Sequence, residues 1–85
     1  MYKLHIKRPA EKDLHRLPHE AFDRVNAAIL ALQEDPSPHG VEKLDGGEGW
    51  RIRVGPYRVI YAIDDDARQV MVYRVRHRKD AYRRF

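Results

Sequence analysis

The sequence predicts an α+β fold: a small, mainly antiparallel four-stranded sheet with an N-terminal αα-hairpin on one face and a short C-terminal helix, in the order β-α-α-β-β-β-α. Three observations carry this. Residues 50–54, WRIRV, and residues 57–63, YRVIYAI, flank Gly55-Pro56 in the pattern of a β-hairpin. Residues 9–32 instead space their apolar side chains by three and four, as helices do. The length of 85 residues suits one domain, 1–85, and is too short for two, with a thin core.

Taken in order, Tyr2, Leu4 and Ile6 alternate with Lys3, His5 and Lys7, the period of a short strand with one buried face. Pro9 suits the first turn of a helix, Glu11 and Asp13 stand where the helix dipole favours anions, and Ala10, Leu14 and Leu17 share a face. That helix is expected to run to about Leu17. Pro18 opens a second one, whose apolar stripe of Ala21, Phe22, Val25, Ala28, Ile29 and Leu32 makes it the core helix. Residues 35–49, DPSPHGVEKLDGGEG, hold two prolines and four glycines without a sustained period, and read as the connection from helix to sheet. The GGEG run lacks the Lys-Ser/Thr of a phosphate-binding loop, so a turn is expected there.

In the hairpin, Trp50, Ile52 and Val54 alternate with Arg51 and Arg53, and Arg58 returns beside them on the second strand. Cations on neighbouring strands repel one another unless an anion or an acidic partner lies over them, which makes this face a candidate phosphate-binding surface. A solvated polar face on a half-buried sheet is the plainer alternative. Asp64, Asp65 and Asp66 form the next loop; adjacent carboxylates in a tight turn point apart, and no metal site is expected. Residues 69–75 form the last strand, with Val70 and Val72 on one face and Met71, Tyr73 and Val75 on the other, apolar enough on both for an interior position. A basic tail follows from Arg76, helical from about Lys79, which would set Arg78 and Tyr82 on one face.

Charge is distributed unevenly. Residues 1–49 carry seven Lys/Arg against nine Asp/Glu, a net −2; residues 50–85 carry ten against four, a net +6, together the +4 of the chain. The cations of the second half are nearly all arginine, whose planar fork matches phosphate oxygens. Nucleic acid or an acidic protein is the partner class this implies. The absence of cysteine excludes a disulfide framework and thiolate metal ligation. No apolar run approaches a membrane span and the first residues lack a secretory signal's apolar middle, so a cytoplasmic protein without membrane contact is expected.

The stretch WRIRVGPYRVIYAIDDDARQVMVYRVRHRKDAYR resembles the C-terminal half of the RelE/ParE superfamily of type II toxin-antitoxin toxins, and within it the RelE branch. The likeness is strongest over residues 51–61, at Arg76-His77-Arg78 and at Tyr82, while the strand-helix-helix start and the KLDG turn at residues 43–46 agree more loosely. The resemblance implies an mRNA interferase: a toxin that cuts messenger RNA in the ribosomal A site without a metal or other cofactor and is silenced by a cognate acidic antitoxin in a hetero-oligomer. By position, Arg58 matches the arginine that holds the scissile phosphate, Arg78 the one near the leaving oxygen, and Tyr82 the tyrosine that stacks on or orients substrate. Arg51 and Arg53 occupy two strand positions where well-studied members carry lysines. With Arg76, His77 and Lys79 these residues make up the expected nucleic-acid-binding and catalytic set.

Metal-free cleavage requires the 2′-hydroxyl to lose its proton and attack phosphorus, a doubly charged transition state to be stabilised, and the 5′-oxygen to be protonated. Arginines 51, 53, 58 and 78 meet the second need. A guanidinium stays protonated and cannot be the base. His77, Tyr82 with a lowered pKa, or orientation and charge neutralisation without a strong base remain open for the first. Two other functions fit the same sequence: a ParE-like inhibitor of DNA gyrase, and a binding module without catalysis.

Overall fold

The computed structural model describes residues 1–37, 41–43 and 49–81, with residues 80 and 81 as backbone only. Its elements are β1 (Lys3–Ile6), α1 (Arg8–His15), α2 (His19–Ala31), β2 (Glu42–Lys43), β3 (Trp50–Val54), β4 (Tyr57–Asp64), β5 (Gln69–His77) and α3 (Arg78–Ala81). The α+β class is as expected, but the sheet has five strands rather than four, in the order β1-β5-β4-β3-β2. The added strand, β2, lies inside the stretch read as an irregular connection and pairs antiparallel with β3, Glu42 opposite Arg51 and Lys43 opposite Trp50. Two residues are too few to display a period, which is why alternation did not reveal it. β1 pairs parallel with β5; the other pairings are antiparallel.

The β3–β4 hairpin turns at Gly55, whose φ of 59° lies in the left-handed region that a residue with a side chain adopts at a cost. Pro56 then fixes the next φ and withholds a donor that the turn does not need. A Cβ at Gly55 would come to 3.7 Å from the Arg24 guanidinium of α2, so the helix closes against the underside of the turn.

α1 and α2 cover one face of the sheet. Ala10 and Leu14 of α1, and Val25, Ile29 and the C-cap residue Leu32 of α2, meet Ile52, Val59, Tyr61, Val70, Val72 and Val75 in one core. Helix α1 ends at His15, short of Leu17, because the amides of Arg16 and Leu17 donate to the carbonyls of Asp13 and Leu14, tightening the last turn.

In β5 the expected alternation fails at one point. A register shift beside Ile60 and Tyr61 sets Tyr61 opposite Val72 but Ile60 opposite Arg74, so one extra residue, Tyr73, is accommodated. Such a bulge moves every later side chain to the other face. Val75 therefore joins Val70 and Val72 in the core instead of opposing them, and Tyr73 is left exposed. The strand is interior as expected, between β1 and β4, and extends to His77.

Beyond Val72 the edge of β5 has lost β1, whose last backbone bond is donated by Lys7 to the Val72 carbonyl. Asp13 of α1 takes over: its carboxylate accepts from the Val75 amide at 2.9 Å and from Arg74 Nε at 2.9 Å. At the opposite end of the strand pair, the carboxylate of Asp64, expected in the loop but the last residue of β4, accepts from the Ala67 amide, and Asp65 accepts from the hydroxyl of Tyr2, the residue before β1. Among the described residues, no helix is long and apolar enough to cross a membrane.

Candidate nucleic-acid interface

The pairing register builds the site. Arg53 of β3 stands opposite Arg58 of β4, and Arg58 stands opposite Arg76 of β5. Directly paired residues share a face, so the three form a row across three adjacent strands, with neighbours roughly 5 Å apart at the backbone. Ile52, Val59 and Val75, one step along each strand, point into the core. The row therefore lies on the face away from α1 and α2. Arg51, two residues before Arg53, has the same orientation opposite Ile60.

The fourth arginine of the expected set arrives by another route. The Arg78 amide donates to the Pro56 carbonyl at 2.7 Å, pinning the start of α3 to the hairpin turn that precedes Arg58. Arg78 and Lys79 are exposed there. His77 lies in a different row: it pairs with Tyr57, and the two rings meet edge to face with centroids 5.2 Å apart. That row is on the other face of the sheet from Arg58 and Arg76. The imidazole Nδ1 accepts from the Lys79 amide at 3.1 Å, so it caps the first turn of α3. Tyr82 lies outside the described residues.

One member of the cluster was not anticipated. Glu42, on β2, accepts from Arg51 at 2.6 Å and lies 3.4 Å from Arg53 Nε. The Arg51 hydrogen bond, then the charges of Arg51 and Arg53, hold its carboxyl below the usual carboxylate range. An acid so stabilised as its anion is a strong counter-ion and a weak proton acceptor. It relieves the repulsion between Arg51 and Arg53 and fixes their forks. Only pairing with Arg51 across the β2–β3 ladder could have pointed to Glu42 in the sequence, and that pairing was invisible without β2. The arrangement is thus a cationic surface of strand-borne arginines, oriented by one edge carboxylate and bordered by the backbone-anchored Arg78, a geometry suited to phosphodiester oxygens.

Three comparisons with known proteins bear on the family and the fold. The family model described as ParE toxin of type II toxin-antitoxin system, parDE, matches residues 4–82. Toxin RelG of Mycobacterium tuberculosis is 34% identical in an alignment that covers 98% of each chain. Among solved structures, the toxin-antitoxin complex RelBE2 of Mycobacterium tuberculosis is similar with a TM-score of 0.80 and 29% identity over 89% of this chain and 96% of that one. The archaeal RelE-RelB complex of Pyrococcus horikoshii OT3 gives a TM-score of 0.80 and 29% identity over 91% of this chain and 94% of that one.

Proposed function

The chain belongs to the RelE/ParE superfamily of type II toxin-antitoxin toxins, in its RelE branch, and from that premise we propose that it is a metal-independent endoribonuclease that cuts messenger RNA on the ribosome. The observation that carries the reading is the row Arg53–Arg58–Arg76 across three adjacent strands. Fixed guanidinium groups stabilise the charge that gathers on a pentacoordinate phosphorus without needing to reorganise. In this reading Arg58, at the middle of the row, holds the scissile phosphate, Arg51 and Arg53 grip the flanking phosphates, and Arg76, Arg78 and Lys79 extend the cationic field towards the leaving oxygen. His77 positions α3. Tyr82 orients the substrate base. With Glu42 weakly basic, the rate comes chiefly from charge neutralisation and from the alignment of the 2′-hydroxyl imposed by the ribosomal A site.

We further take residues 1–85 to act as one cytoplasmic domain whose partner is an acidic antitoxin, since two similar solved structures are complexes of this kind. A net +6 over residues 50–85 favours such a partner and makes its association rate fall with added salt. The test is induction of wild type and Arg58→Ala without antitoxin, followed by mapping of transcript 5′ ends. Loss of one such donor is expected to reduce cutting by about 10²- to 10³-fold, with the circular dichroism spectrum unchanged. Cutting that persists at the wild-type rate removes the proposal; intact transcripts with altered plasmid supercoiling transfer it to gyrase.

A further inference from the structure

A second basic surface lies on α1, away from the arginine row. Arg8, Lys12 and the C-cap residue Arg16 follow one another at four-residue intervals and are all exposed. Each interval advances about 6 Å along a helix, so the three cations stand in line at a spacing comparable to that of successive phosphates on a nucleic-acid strand. Arg74 joins them from β5, and together with Pro9 the four line a shallow cavity of about 450 Å³. Among the described residues, no carboxylate lines this cavity. Asp13, next to Lys12 in the chain, has its oxygens committed to the Val75 amide and to Arg74. Among the described residues, Arg8, Lys12 and Arg16 form no ion pair.

Helix stability does not account for the pattern. Like charges four residues apart repel, and a cation at Arg8 opposes the helix dipole, even though Arg16 at the other end complements it. We propose that this strip is a second RNA-binding surface, taking the phosphate backbone of a double-helical RNA segment. Single strands are gripped by aromatic platforms as well as by charge, and among the described residues no aromatic side chain lines the cavity. Duplex RNA is read by shape and backbone, which a straight rail of cations matches. The strip also begins where the arginine row ends: Arg74 precedes Arg76 by two residues on β5. A single strand on the sheet face and a duplex against α1 can therefore be held together by one molecule.

The inference does not depend on cleavage, because its readout is binding. A labelled RNA duplex of about 16 base pairs and a single strand of the same length are titrated with the protein by fluorescence anisotropy over a range of potassium chloride. The Arg8→Gln/Lys12→Gln/Arg16→Gln variant is expected to bind the duplex at least about tenfold more weakly, with a log–log salt slope smaller by about 2 to 3, counting ~0.9 per lost phosphate contact. Lys12→Gln alone, which leaves both helix ends intact, is expected to lower the slope by about 1. A slope unchanged in both strip variants, or an equal loss on the single strand, overturns the proposal.

Discussion

At the scale of single residues, the arginine face works because one carboxylate is fixed among its cations. Glu42 takes its hydrogen bond from Arg51 and lies within ion-pair distance of Arg53, and these contacts depress its pKa. An incoming phosphate competes with that carboxylate for the same two forks. Glu42→Gln keeps the shape and removes the charge, so RNA binding by the variant is expected to tighten by several-fold, most clearly at low ionic strength where the pair is least screened. The same substitution should separate the two proteins in acid titrations. A group whose folded pKa is lowered adds stability above its unfolded pKa, near 4.3 for glutamate, and loses it as pH falls through the folded value. The stability gap between wild type and Glu42→Gln, measured by urea unfolding, should therefore close below about pH 4. A gap independent of pH would mean that the lost interaction was not ionic.

At the scale of elements, the bulge in β5 decides which residues reach which surface. It returns Val75 to the core and brings Arg76 into the row with Arg58, while Arg74 turns over the edge to Asp13. Asp13 is only 12% exposed and supplies the acceptor that β1 no longer offers the Val75 amide. Removing it leaves a half-buried amide and the Arg74 guanidinium without their acceptor, so Asp13→Ala is expected to cost about 2 to 3 kcal/mol, measured by denaturant unfolding, with a smaller loss for Asp13→Asn. These features mark the limit of legibility in the sequence. The hairpin, the two helices and the arginines at 51, 53 and 58 were readable because alternation and helical spacing are local signals, and Gly55-Pro56 fixed where the chain reversed. A bulge has no such signal: MVYRV alternates acceptably in either register, and only packing in the shared core selects one. Glu42 was missed for the related reason that a two-residue strand takes its identity from its partner. Conversely, the placement of Arg76 beside Arg58 follows from pairing that no count of spacings along the chain could yield.

At the scale of the whole molecule, the sheet separates two chemistries, with a cationic face turned outward and an apolar face closed by helices, and Tyr61 ties the second to the rest of the chain. Its ring is fully buried at the centre of the core, and its hydroxyl donates to the Pro36 carbonyl at 2.7 Å, linking the middle of the sheet to the segment that leaves α2. Burial, aided by the nearby Asp35 charge, pushes its pKa up to about 12. An unfolded tyrosine ionises near 10. Above that pH the unfolded chain has released a proton that the folded one retains, so the unfolded state is favoured progressively and stability declines between about pH 10 and 12. The Tyr2 hydroxyl, whose pKa is raised by its hydrogen bond to Asp65, adds to the same trend at the surface. Tyr61→Phe separates the two contributions. It is expected to cost about 1 kcal/mol at neutral pH, through loss of the Pro36 bond, and to make the alkaline decline shallower. Urea unfolding of both proteins at several alkaline pH values measures this directly: parallel declines would mean that Tyr61 ionises as readily in the folded state as in the unfolded one, and that the core admits water around its hydroxyl.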